Sequence, residues 1–279
     1  MVISKGLWKI LRNFMLSRRG LAIPVTFLIL FVSLLTLISA TYYFAIAKVK
    51  SKSRQLNVAV AKESMISLES HIMHVAWSEG ASEVYVFDDC GGKLEAKPLN
   101  VQLTINVSDG NFSETVYDCP VGEVVYELPA AGSVDIGLFL KGDYRVVVNQ
   151  SGSVMTKLFI TNGVEKPEIL LYYRPMVSIA EIGSEDGKPL NYMRIYVINL
   201  NSSQSFESQG EVPVKVSCLE VVSELKIYNF TSQINSLDVK VSLDGENGKV
   251  SVPISSNGNG ALLQVEVVTC RIKVERVQR

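Results

Sequence analysis

A chain of 279 residues, 47% of them hydrophobic and with a mean hydropathy above zero, holds enough apolar side chain for a packed core and a membrane element, which excludes an intrinsically disordered protein. The net charge of -1 conceals a polarity: residues 1–20 carry +5, residues 48–62 carry +5, and residues 63–279 hold 28 acids against 17 bases. No phosphate-binding patch is visible in that acidic distal part, which argues against nucleic acid as a partner.

The first twenty residues form a basic, cytoplasmic leader. Within it, Leu7, Leu11, Phe14 and Met15 fall on one helical face and Lys5, Lys9 and Arg12 elsewhere, a pattern suited to the inner membrane surface. From Leu21 to Ala47 no residue is charged. A helix of that length spans roughly 40 Å, more than the roughly 30 Å of a hydrocarbon layer, so residues 21–47 are expected to cross a lipid bilayer. Thr26, Ser33, Thr36 and Ser39 within this run are small polar residues, suited either to close helix contact or to bonding back to their own helix.

Residues 48–80 read as an amphipathic stalk. Val58, Ala61, Met65, Leu68, Ile72 and Val75 step by three and four, the stripe of a helix packed on another element. No Pro or Gly lies between Pro24 and Gly80, so one helix from about Leu21 to Glu79 is expected.

From residue 81 to 279 the period changes to two. Runs such as "NVQLTINV", "MRIYVINL" and "LLQVEVVTCRIKV" alternate with turn signals such as "SEDGKP", "TNG" and "LDGENGK". The expected fold class is α+β: a long N-terminal helix, then an antiparallel β-sandwich or rolled sheet of about ten to thirteen strands. A subdivision near residues 161–168 is open.

Both flanks of the span are basic, so charge alone does not orient it. Four cysteines, Cys90, Cys119, Cys218 and Cys270, all follow the span without Cys-x-x-Cys spacing, a pattern for two disulfides. Of three possible connectivities, Cys90 with Cys119 and Cys218 with Cys270 is preferred. Five glycosylation sequons, at Asn106, Asn111, Asn149, Asn201 and Asn229, read as lying in turns and strand ends of the same region. Together these features predict a distal domain outside the cell.

Pro24 has a physical reading. In a helix its ring meets the carbonyl four residues earlier, that of Gly20, and denies it a donor. A cut between Gly20 and Leu21 removes that carbonyl and puts Pro24 in the first turn, where a missing N–H costs nothing. An ordinary secretory signal is cut after its apolar run; here Arg18, Arg19 and Gly20 come before it.

With Arg18, Arg19, Gly20 and Leu21 followed by "IPV" and the apolar helix, residues 5–79 resemble the archaeal type IV pilin-like proteins. The resemblance implies a class III signal peptide cut after Gly20 by a prepilin peptidase. It also implies that the hydrophobic helix stays on the mature chain and packs against other pilin-like subunits. One position departs from the pattern: where many pilins carry Glu at the fifth mature residue, this chain has Val25, which favours a minor pilin or pseudopilin. The competing expectation is an uncleaved, single-pass signal anchor carrying a β module that binds a ligand or glycan.

Nothing in the sequence calls for catalysis or a cofactor. There is no Gly-x-Ser-x-Gly and no phosphate loop. His71 and His74, the only histidines, sit three apart on the stalk near Glu69 and Glu79 with no evident third ligand, and are expected to serve surface or interface packing rather than metal. "LDGENG" lacks the alternating acids of a calcium loop and reads as a hairpin turn.

Overall fold

The computed structural model describes residues 18–110, 112–129, 134–150 and 154–277, with side chains of the first helix from Pro24 onward. The leader up to residue 17 and the sequon Asn111 lie outside the described residues. Two compact units divide the chain between Ser53 and Arg54.

One helix, α1 (Arg18–Val75), carries both apolar segments without a break. It begins upstream of Leu21, so in the full chain Pro24 lies inside it rather than in its first turn. It ends four residues before the expected Glu79. Trp77 turns the backbone into the left-handed region at φ 66°, rare for a bulky residue, and Gly80 follows at φ 80°.

In the second unit α1 is followed by β1 (Ser82–Phe87), β2 (Lys93–Lys97), β3 (Gln102–Ser108), β4 (Ser113–Pro120) and β5 (Glu123–Glu127). Then come β6 (Phe139–Lys141), β7 (Val148–Asn149), β8 (Thr156–Asn162), β9 (Pro167–Tyr173), β10 (Met176–Glu185) and β11 (Lys188–Asn199). The chain closes with β12 (Phe206–Gln209), β13 (Val212–Phe230), β14 (Ser236–Leu243), β15 (Glu246–Pro253) and β16 (Ala261–Arg276).

They form three sheets, in the orders β1-β13-β16-β11-β10-β7, β12-β2-β5-β9-β8-β6 and β15-β14-β3-β4. The domain is therefore a helix plus a mostly antiparallel β structure, as its α+β patterning predicts. Two pairs, β11 with β16 and β7 with β10, run parallel, which the antiparallel expectation did not include. The parallel β11–β16 pair is possible because more than sixty residues separate the two strands, ample for a crossover. Asp-Gly turns at Asp186-Gly187 and Asp244-Gly245, all with positive φ, close the β10–β11 and β14–β15 hairpins; the second is the "LDGENG" stretch.

Two hydrophobic cores share the first sheet. In one, Val58, Ala61, Met65, Leu68, Ile72 and Val75 of α1 pack with Val214 and Ile272 of the first sheet and with Leu94, Leu158 and Leu171 of the second. The whole predicted stripe is buried. The other core joins Leu103, Ile105, Val239 and Val241 of the four-stranded sheet to Met193, Ile195, Leu263 and Val265 of the first. The long strand β16 runs through both cores, so the division does not fall at residues 161–168. That segment is the turn of the β8–β9 hairpin.

On the outer face of the first sheet, Glu266 accepts from the Ser223 hydroxyl and from Arg194 Nε, each at 2.6 Å, and from the Tyr192 hydroxyl. Ser223 foremost, then Tyr192 and Arg194, hold its carboxyl down to about 2 from an ordinary 4.5. A carboxyl depressed in the folded state adds stability above its unfolded pKa and loses it as pH falls through the folded one. Glu266→Gln is therefore expected to be less stable than the parent at about pH 6, with the gap closing toward about pH 2, as followed by thermal unfolding of the two chains.

Candidate functional site

The feature that sets this protein apart is the uncovered part of α1. Every residue from Pro24 to Leu56 is exposed, and the apolar segment is long and apolar enough to cross a membrane, with none of it buried. Phe27, Leu30, Leu34, Leu37 and Tyr43 stand open, each about half exposed or more. Apolar side chains in such a continuous run are stable only against lipid or other apolar helices. The small polar residues do not break the surface: Ser33 and Thr36 donate to the carbonyls of Leu30 and Val32, at 2.8 and 2.7 Å, and Thr41 to that of Leu37. Of the two roles open to Ser33 and Thr36, bonding back to the helix is the one the structure shows. Arg18, Arg19, Gly20 and Leu21 belong to the first turns of α1.

At the other end α1 meets the first sheet at a pair of thiols. The Trp77 N–H points at Cys270 Sγ, 3.3 Å away, and the Trp77 ring stands edge-on to Tyr196 at 5.5 Å. Gly80 N–H donates to the Cys218 carbonyl and Cys218 N–H to that of Ala81, both at 2.9 Å. A β-bulge between Cys218 and Glu220 locally re-registers β13 on β16. There the Cys218 and Cys270 sulfurs lie 3.6 Å apart as buried thiols. Burial pushes the Cys270 thiol above its ordinary range.

Neither preferred pairing forms a disulfide in this structure. Cys90 is buried in the core that contains α1, its thiol also raised by burial, whereas Cys119 is exposed on β4 of the four-stranded sheet. Cys90 lies in the loop between β1 and β2, whereas Cys119 lies near the end of β4, so the fold sends the two positions to different elements.

The sequons are mixed in setting. Asn149 ends β7, Asn201 sits in the turn after β11, and exposed Asn229 lies next to the end of β13, accepting from Lys188 Nζ at 2.6 Å. Asn106 is inside β3 rather than at a turn, with its Oδ1 accepting from the Thr115 hydroxyl at 2.6 Å.

The histidine pair has a partner that the sequence did not suggest. Glu69 turns inward and is fully buried, so it is not beside the imidazoles. Instead Glu83 of β1 places Oε2 2.6 Å from His71 Nδ1 and 3.8 Å from His74 Nδ1. The His71 hydrogen bond is the main cause holding the Glu83 carboxyl below its usual range. The available signal was the strand alternation that puts Glu83, Tyr85 and Phe87 on one side of β1.

Fold and site together define an α+β protein with, among the described residues, one candidate membrane span and a β-rich domain after it. Comparison of the chain with protein-family models, curated proteins and solved structures finds no match.

Proposed function

We propose that this chain is a non-enzymatic pilin-like subunit, a minor pilin or pseudopilin, of a type IV pilus-like surface filament. Its leader is removed after Gly20 by a prepilin peptidase, the cysteine-bearing domain lies outside the cell, and the apolar part of α1 passes from the bilayer into a bundle with other subunits. The observation that carries this reading is the fully exposed apolar run from Pro24 to Ala47 directly behind Arg18-Arg19-Gly20. Burial at about 25 cal/mol per Å² gives such helices a strong drive to bundle once lipid is gone. Removal of the leader also relieves the Gly20–Pro24 conflict inside the helix.

The test is the N-terminus of the chain recovered from cells that hold a prepilin peptidase. Intact-mass analysis is expected to find Leu21 first, with the chain present in sheared surface appendages. Gly20→Leu is expected to leave the leader on and to remove the chain from the appendages. A parent chain that keeps Met1 and stays in the membrane overturns the proposal in favour of an uncleaved signal anchor.

A further inference from the structure

The geometry points to a binding site for one divalent metal ion of the zinc class, held by His71, His74 and Glu83. The site stands apart from the filament reading, since none of its residues belongs to the leader or to the apolar part of α1.

His71 and His74 are three residues apart on α1, so their side chains leave neighbouring positions of one face. Their rings stand edge-on, with centroids 6.1 Å apart, and both Nδ1 atoms converge on a single oxygen, Glu83 Oε2. An ion pair with His71 alone needs no second ring. The His74 side chain is 68% exposed, so burial does not force it toward the carboxylate. The Tyr85 ring lies 5.0 Å from His71 and tilted over it, bracing the imidazole in place.

One ligand atom from each of the three residues lies within 4.8 Å of the others. Metal–ligand bonds of about 2.0–2.1 Å in a tetrahedral shell require ligand atoms roughly 3.3 Å apart. The 2.6 Å His71–Glu83 contact must open slightly and the wider gaps must close, which the half-exposed side chains permit by rotation. Two neutral imidazoles and one carboxylate suit zinc, nickel or copper, whereas calcium and magnesium ask for six or more oxygens. Three protein ligands leave the fourth position to water or to an incoming side chain. A bound ion would tie the last turn of α1 to β1.

The test uses the full chain, without a histidine tag, in detergent micelles. Calorimetric titration with Zn²⁺ is expected to show one equivalent bound, and Co²⁺ to give visible tetrahedral bands without a thiolate charge-transfer band. His74→Ala and Glu83→Gln, both at exposed or half-exposed positions, are each expected to weaken binding at least about tenfold with unchanged circular dichroism, while Cys119→Ser and Cys218→Ser leave it unaltered. Zn²⁺ at about a hundred times its Kd is expected to lower the unfolding constant about a hundredfold. No binding up to about 1 mM, a thiolate band, or equal binding by the parent and both ligand variants overturns the assignment.

Discussion

Lys141→Met is expected to cost the distal domain about 3–5 kcal/mol, because it strands a buried charge. Glu69 sits on α1 among the apolar stripe with a fully buried side chain. Its Oε2 bonds Lys141 Nζ of β6, and its Oε1 accepts from the Thr156 hydroxyl of β8 at 2.5 Å. The Tyr173 hydroxyl, itself buried, is raised well above its usual range by burial and then by the Glu69 charge. With the ammonium gone, the fully buried Glu69 carboxylate loses its counter-charge, which lowers stability. Urea unfolding of the full chain, followed through Trp77, measures the loss. Adding Glu69→Leu to Lys141→Met is expected to recover most of it, since an apolar pair of similar volume removes the desolvation problem along with the charge. Lys141→Met within about 0.5 kcal/mol of the parent would refute the pairing argument.

Leu68→Ala and Leu34→Ala are expected to differ sharply although both lie on α1. Leu68 is completely buried between sheets, and truncating it leaves a cavity that costs about 2–5 kcal/mol. Leu34 is 55% exposed and touches no core, so in a single chain its loss is expected to stay within about 0.5 kcal/mol. The same unfolding experiment reads both. If the apolar segment packs with other subunits, Leu34→Ala acts instead on assembly, seen as fewer or shorter appendages at unchanged domain stability.

The helix was legible because its information is local. The spacing from Val58 to Val75 marked six apolar side chains that the structure buries, and the charge-free run marked the segment it leaves open. The Asp-Gly hairpins were legible for the same reason. Short strands rich in charged and polar residues were not: "KLEAK" of β2 and "FESQ" of β12 hold their places through pairing with neighbours. The 19-residue β13 was visible only as far as Cys218, because its second half is largely exposed and the bulge after Cys218 resets its face. Long-range juxtaposition was invisible in principle. Nothing near His71 in sequence announces that Glu83 folds back against it while Glu69, two residues away, turns into the core.

The exit from α1 has a mechanical consequence. Past Gly80 the chain is stitched to Cys218, and from Ser82 to Phe87 it pairs residue by residue with β13, which is itself laced along β16. A tug transmitted through Gly80 therefore loads a row of backbone bonds on β13, the longest of these strands. Tension passed through that turn would spread over the ladder residue by residue.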